Sequence, residues 1–235
     1  MFNPNHFETS NIAESGNFLE ADYFNSVNSG EYKQKADNKI NGEVERKEGM
    51  SSQEYAEAVM LRKQRALESS GDHYKKEDYI NYKDSMKIAE ECQPFDPENP
   101  TPFFASSLRK KILEKIDISE GDKLKFFTAV DSHLDHKHGV DAFFKLYNKN
   151  DKELSCATID ITGREKQGKA DITMTMPKEQ RDLYDPSSDE FDEKEFNIRL
   201  ELEADRIIRK LENNNIINKT ENSGQKRKRK VIWKN

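Results

Sequence analysis

Aspartates alternate with apolar residues in the middle of the chain, in a pattern that could build a metal site. Asp141 opens one such segment, and Asp160 and Asp171 lie in two later segments that are rich in β-branched residues. Alternation of this kind predicts strands, in which successive side chains point to opposite faces of a sheet. Carboxylates that converge on one face can bind a hard divalent cation such as Mg²⁺ or Mn²⁺.

A hairpin between the first two strands would bring two of these aspartates together. With residues 148–151 as a four-residue loop, Asp141 pairs with Thr158 and is a diagonal neighbour of Asp160, about 7–8 Å away. A slip of one residue would turn Asp160 into the core, so the pattern favours this register. The opposite face is then wholly apolar: Val140, Ala142, Phe144, Leu146, Ala157, Ile159 and Ile161.

A second short loop, over residues 163–168, extends the predicted sheet to a third strand. Asp160 then pairs with Asp171, and Lys169 lies across from Thr162. Carboxylates opposed across strands repel each other, and a bound cation would offset this repulsion. We therefore expect the three aspartates to hold Mg²⁺ or Mn²⁺. Three solvated aspartates on an exposed face are the alternative interpretation.

The order of these segments resembles the core of the PD-(D/E)xK nuclease-like superfamily. The resemblance covers about residues 101–176 and rests on Gly139-Val140-Asp141-Ala142-Phe143-Phe144, a turn, and Ala157-Thr158-Ile159-Asp160-Ile161-Thr162. It implies phosphodiester hydrolysis with Mg²⁺ held by Asp141 and Asp160. The family places a lysine where this chain has Thr162. Lys169, across from Thr162 in the predicted pairing, is the candidate replacement.

Two functions are compatible with this pattern. The first is a metal-dependent nuclease in which Asp141, Asp160 and Lys169 are the catalytic residues. The second is a non-catalytic interaction or nucleic-acid-binding protein on the same fold. A lysine amine beside the carboxylates would favour the first function, and its absence would favour the second.

Three histidines, His133, His136 and His138, lie in a predicted loop just before Asp141. Imidazoles with nearby carboxylates can bind a transition metal, although the spacing matches no standard zinc motif. The same loop could face the phosphates of a nucleic acid, or be an exposed polar loop. A histidine of ordinary pKa could also act as a general base.

The fold class predicted for residues 101–215 is α/β, in the α+β arrangement, with a small central sheet of three to four strands flanked by helices. Phe104, Leu108, Ile112 and Ile116 recur every four residues and predict a helix that begins at Thr101. Strands are expected near 124–130, 139–147, 153–162 and 169–176. A last helix is expected over 190–213, with an apolar stripe of Leu200, Ala204, Ile207, Ile208 and Leu211.

The composition indicates less order elsewhere, because 33% of residues are hydrophobic and 36% are charged, against roughly 45–50% and 25% in ordinary domains. Residues 1–48 are predicted to be disordered. Residues 49–93 form a helical segment with one helix to about Ser69 and another from Asp72 to Cys92. Over 51–92 it is either a solvated helical pair or a protein-binding surface. The prolines of 94–100 predict a linker.

The predicted location is cytoplasmic, with no membrane association. The longest apolar runs are far shorter than the roughly 20 residues of a membrane span, and the first residues do not resemble a signal peptide. Two cysteines, Cys92 and Cys156, provide no disulfide framework, so reduced thiols are expected.

The tail, residues 216–235, is basic although the whole chain has a net charge of −6. It contains the run Lys226, Arg227, Lys228, Arg229 and Lys230, which could bind a nucleic-acid backbone. A nuclear-import signal and a solubilising tail are the alternatives.

We predict that deletion of residues 224–235 weakens binding to nucleic acid and flattens the dependence of log Kd on log salt. Each phosphate contact releases counterions on binding, so fewer contacts mean fewer released counterions and a smaller slope. Titrations of full-length and truncated protein at several salt concentrations measure both effects. An unchanged slope would show that the tail does not contact the nucleic acid.

Overall fold

The computed structural model describes residues 17–41, 49–69, 79–163, 168–176 and 182–222. These residues form an α/β fold, which confirms the predicted fold class. The helices are α1 (Asn17–Phe24), α2 (Ser29–Asn41), α3 (Ser52–Ser69), α4 (Tyr82–Glu91), α5 (Phe103–Lys115), α6 (His133–His138) and α7 (Glu193–Asn222). The strands are β1 (Lys123–Thr128), β2 (Ala142–Tyr147), β3 (Glu153–Thr162) and β4 (Ile172–Thr175).

The four strands form one mixed sheet in the order β1-β2-β3-β4. In the antiparallel β2–β3 pair, Ala142 lies opposite Ile159, which is two residues from the predicted register. The turn is longer than predicted because the Asn148 N–H donates to the Lys152 carbonyl, and the strands are irregular between Leu146 and Tyr147. A shift of two residues leaves the side chains of β2 and β3 on their predicted faces. Val140 is the exception: it was predicted on the face of Ala142, but it precedes β2 and packs with Phe143 on the opposite face.

The predicted hairpin between the last two strands is wrong, because β4 runs parallel to β3. Ile172 lies opposite Ile159, and Thr162 lies opposite Thr175. The side chain of Asp171 fixes this register, since its Oδ2 accepts hydrogen bonds of 3.0 Å from both the backbone and the hydroxyl of Thr158. The apolar face predicted for this strand is buried as expected, through Ile172, Met174 and Met176.

The first hydrophobic core lies between one face of the sheet and helices α1, α5 and α7. The stripes predicted for α5 and α7 are buried in it, as expected. Two helix boundaries differ from prediction. Pro102 rather than Thr101 is the N-cap of α5. α7 runs on to Asn222, nine residues past its predicted end.

A second hydrophobic core covers the sheet face that was predicted to be polar. Phe127 and Phe143 from the strands pack there at 5.1 Å between ring centroids. The residues that cover them come from α2, α4, α6 and the adjoining loops: Val27, Tyr32, Ala36, Ile80, Ile88, Ala89, Cys92, Leu134 and Val140. Asp141 and Asp160 are each only 2% exposed, so the interpretation as solvated surface aspartates is wrong for both.

The N-terminal segment is more ordered than its composition predicted. Disorder is wrong for residues 17–41, which contain α1 and α2, while 1–16 and 42–48 lie outside the described residues. Tyr23 packs 5.2 Å from Phe104, and Phe24 packs 5.3 Å from Phe126, measured between ring centroids. These two aromatic residues anchor α1 in the first core.

The predicted linker over residues 94–100 is part of the same packed unit. Phe95 stacks on Phe126, whose N–H donates to the Pro97 carbonyl at 2.9 Å. The predicted domain start at residue 101 is therefore wrong. In the helical segment before it, α3 matches the prediction, whereas α4 begins at Tyr82 with Asn81 as its N-cap. Asp72, the predicted cap, lies outside the described residues.

Among the helices of the described residues, none has the length and apolar character needed to span a membrane.

We predict that Phe24→Ala lowers the free energy of unfolding by about 3–5 kcal/mol, because it leaves a cavity in the first core. Lys33→Ala, at an exposed position of the same segment, should change it by less than about 0.5 kcal/mol. Urea denaturation measures both values. If the N-terminal segment were disordered, neither substitution would change the free energy of unfolding.

Candidate metal centre

Three carboxylates from different parts of the chain meet at one end of the sheet. Glu20 on α1, Asp135 on α6 and Asp141 in front of β2 each offer an oxygen, and these oxygens all lie within 4.8 Å of one another. Glu20 is 8% exposed and Asp141 is 2% exposed. We call these three residues the acidic centre.

The short helix α6 positions Asp135. The Ser132 hydroxyl caps the helix by accepting hydrogen bonds from the N–H groups of Leu134 and Asp135. Gly139 ends it with a φ of 65°, a left-handed conformation that glycine adopts without strain. The Asp135 carboxylate accepts a hydrogen bond of 2.9 Å from the Asp131 N–H, which fixes its direction.

Backbone hydrogen bonds to β3 position Asp141. Its N–H donates to the Ile159 carbonyl at 2.8 Å, and its carboxylate accepts from the Ile161 N–H. Asp160 lies between these two residues on β3, also 2% exposed. Asp160 is thus close enough for its charge to act on Asp141, but it is not one of the three carboxylates of the acidic centre, and two of those three were not indicated by the sequence.

Burial and crowding raise the pKa values of two of these carboxyl groups. The pKa of Asp141 rises to about 9, mainly through burial and then through the charge of Glu20, against the opposing hydrogen bond from Ile161. Asp135 and Asp160 contribute further repulsion. Burial likewise raises the pKa of Asp135. A divalent cation would offset this repulsion, and an all-oxygen set of donors fits Mg²⁺ or Mn²⁺.

Two residues predicted to belong to the site lie elsewhere. Asp171 forms a 2.8 Å ion pair with Lys210 in addition to its bonds with Thr158, so it connects β4 and α7 to β3 and is not a ligand of the acidic centre. The Lys169 amine lies 3.5 Å from the Lys137 carbonyl, and Lys169 is not across from Thr162. Its predicted position across from Thr162 is therefore wrong.

The histidines lie on α6 and not in a loop as predicted. The His133 N–H donates to the Tyr32 hydroxyl at 2.9 Å, and the two rings stack. His138 Nε2 is 3.0 Å from the Ile80 carbonyl. His136 Nδ1 lies 3.9 Å from an oxygen of Asp135 in the acidic centre. The described residues give the histidines no transition-metal cluster.

Sequence reasoning missed Glu20 and Asp135 as members of the site. Asp135 lies among the three histidines, and the possible metal binding of that segment was assigned to the imidazoles. Glu20 has no local signal, since only the aromatic pair Tyr23 and Phe24 indicates that α1 packs on the domain. The basic run of residues 226–230 lies outside the described residues.

Comparisons of this chain with protein-family models, with curated proteins and with solved structures found no match.

We predict that the stability of metal-free protein falls as the pH rises from 5 to 9. The folded state keeps a proton on Asp141 up to about pH 9, whereas the unfolded chain releases it near pH 4. The folded state thus binds more protons, and the free energy of unfolding decreases with pH. Asp141→Asn should reduce this slope in urea denaturation with a chelator present. Equal slopes would contradict the raised pKa.

Proposed function

We propose that this chain is a divalent-metal-binding, nuclease-like protein that acts on or binds nucleic acid through the acidic centre. The observation that carries the proposal is the convergence of three carboxylates within 4.8 Å at a largely buried position. Carboxylates this close repel one another, and their oxygens are the ligands that a hard divalent cation prefers, so their convergence favours a cation-binding role.

The resemblance to the PD-(D/E)xK superfamily supports the same proposal. Asp141 lies immediately before β2 and Asp160 lies on β3, and these two strands form a hairpin that follows helix α5 and strand β1 in the chain. Glu20, Asp135 and Asp141 would hold Mg²⁺ or Mn²⁺, with Asp160 beside them. When bound, such an ion polarises a phosphoryl oxygen and lowers the pKa of a bound water.

A second candidate function is binding of nucleic acid without catalysis. Two observations favour it. Thr162, at the position of the family's lysine, is buried and has no positive charge. The amine of Lys169 points to the Lys137 carbonyl instead of compensating for the missing lysine. The two functions share the metal site and differ in whether phosphodiester bonds are cleaved.

The cysteines and the exposed face of α3 bear on the cellular location and on a possible protein partner. We propose a reducing, cytoplasmic location because both cysteines are free, and burial raises the pKa of Cys92 to about 11 and that of Cys156 to about 12. A protein partner for residues 51–92 is supported by α3, where Met60 and Leu61 expose large apolar side chains.

We predict that Mn²⁺ or Mg²⁺ at millimolar concentration raises the melting temperature of the wild-type protein and that Glu20→Gln removes most of this increase. The substitution takes away one of three anionic ligands at nearly constant volume. Calorimetric titration gives the affinity directly. Glu31→Gln is the matched control, because Glu31 is an exposed glutamate on the adjacent helix α2 and should leave the metal response unchanged.

Cleavage assays on labelled single- and double-stranded DNA and RNA then separate the two functions. Metal-dependent cleavage that is lost in both Glu20→Gln and Asp160→Asn would establish a nuclease. Metal binding with no cleavage of any of the four substrates would establish the non-catalytic function. The metal site itself is refuted if neither ion changes the melting temperature of the wild-type protein.

A further inference from the structure

Two exposed tyrosines surround His138 at the C-terminal end of α6. The ring centroid of Tyr79 is 5.7 Å from that of His138, and the centroid of Tyr82 is 5.5 Å from it, with the Tyr82 ring perpendicular to the imidazole. Tyr79 is 58% exposed and Tyr82 is 43% exposed.

A contact with the buried Ile80 fixes the position of His138 between the two tyrosines. His138 Nε2 is 3.0 Å from the Ile80 carbonyl, between the two tyrosines in sequence, and Ile80 is buried in the second core. Burial, with smaller contributions from its surroundings, raises the pKa of Tyr82 to about 12, so its hydroxyl stays neutral. The Tyr82 ring thus presents an uncharged face at neutral pH.

Two exposed lysines are sequence neighbours of these rings, and a third lies against the same segment of chain. Lys137 precedes His138 on α6, and the Lys169 amine is 3.5 Å from the Lys137 carbonyl. Lys83, next to Tyr82 on α4, is exposed as well. The acidic groups close to this surface are neutralised in part, since Asp84 pairs with Lys39 at 2.9 Å and Asp171 pairs with Lys210.

We propose that Tyr79, Tyr82 and His138, with Lys137 and Lys169, form a binding surface for single-stranded nucleic acid. Unpaired bases would stack on the two tyrosines, and the lysine amines would contact the phosphates between them. Aromatic faces interleaved with amines are the features that recognise a single strand, whereas the bases of a duplex are already stacked on each other.

The surface and the acidic centre share the segment that runs from α6 to β2. Asp135 is three residues before His138 on α6, and Asp141 is three residues after it. A single strand on the tyrosines would therefore be held next to the segment that carries two of the three carboxylates. This step rests on the proposed function, because it names unpaired nucleic acid as the substrate or ligand of that site. Binding to the tyrosines themselves needs no metal.

The test is fluorescence anisotropy of the full chain with labelled 12-nucleotide single strands of DNA and of RNA, and with a duplex of the same length, all in a metal chelator. Tyr79→Leu should weaken binding of the single strands about fivefold or more, the loss expected for one stacked base. Tyr79→Phe should restore it, because the ring remains. Neither change should alter the affinity for the duplex.

Lysine variants test the electrostatic half of the surface. Lys137→Gln combined with Lys169→Gln should reduce the slope of log Kd against log salt by about 1.4, at roughly 0.7 for each phosphate contact on a single strand. Lys110→Gln, at an exposed position of α5, is the control and should leave the slope unchanged.

Three outcomes would overturn the proposal. The first is equal loss of single-strand and duplex binding in Tyr79→Leu, and the second is no loss in either. The third is an acidic peptide of matched charge that binds with the same dependence on Tyr79, which would assign the surface to a protein ligand. Because the measurements exclude metal, failure of the acidic centre to bind Mg²⁺ or Mn²⁺ would leave these results unchanged.

Discussion

Burial of both faces of β2 and β3 is the constraint on which the rest of the structure depends. Every polar group on these strands must find a partner inside the protein. Lys145, for example, is buried and forms ion pairs with Glu90 of α4 and with Glu153. Burial alone would lower its pKa, but the hydrogen bonds to Glu153 and Glu90 outweigh that effect and raise it, so the amine stays charged. α4 is therefore required for the sheet as much as for the second core.

The two outer strands are closed by side chains, which prevents pairing with further strands. At β1, the Gln93 amide both accepts from the Thr128 N–H and donates to the Thr128 carbonyl. At β4, Arg199 donates to the Thr175 carbonyl, and Arg206 donates to that of Thr173. Glu203, fully buried, forms ion pairs with both arginines. Both edges of the sheet are thus occupied by side chains of the same chain. The acidic centre lies at the end of the sheet and not along either edge.

The sequence was sufficient for those parts of the fold that depend on local periodicity. The apolar face of β2 and β3 and the stripes of α5 and α7 could be predicted because each repeats at the period of its own element. The parallel direction of β4 could not be predicted, since it depends on the bonds between Asp171 and Thr158, which are a tertiary contact. The same holds for the acidic centre. Asp141 and Asp160 share a hairpin, but Glu20 is more than a hundred residues away from both, and no spacing in the sequence relates them.

The joining of these distant segments determines how the acidic centre is held together. Bringing Glu20 beside the buried Asp141 costs free energy, as repulsion when both are ionised and as burial of a protonated acid below about pH 9. Docking of α1 therefore needs a favourable contribution from elsewhere. Tyr23 and Phe24 supply it, because burial of two large side chains contributes on the order of 3–6 kcal/mol. Hydrophobic contacts in the first core therefore hold the carboxylates in place before any cation arrives. A cation that binds there does not have to order its ligands, which favours binding. The N-terminal segment is thus both a structural element of the core and the carrier of one third of the acidic centre.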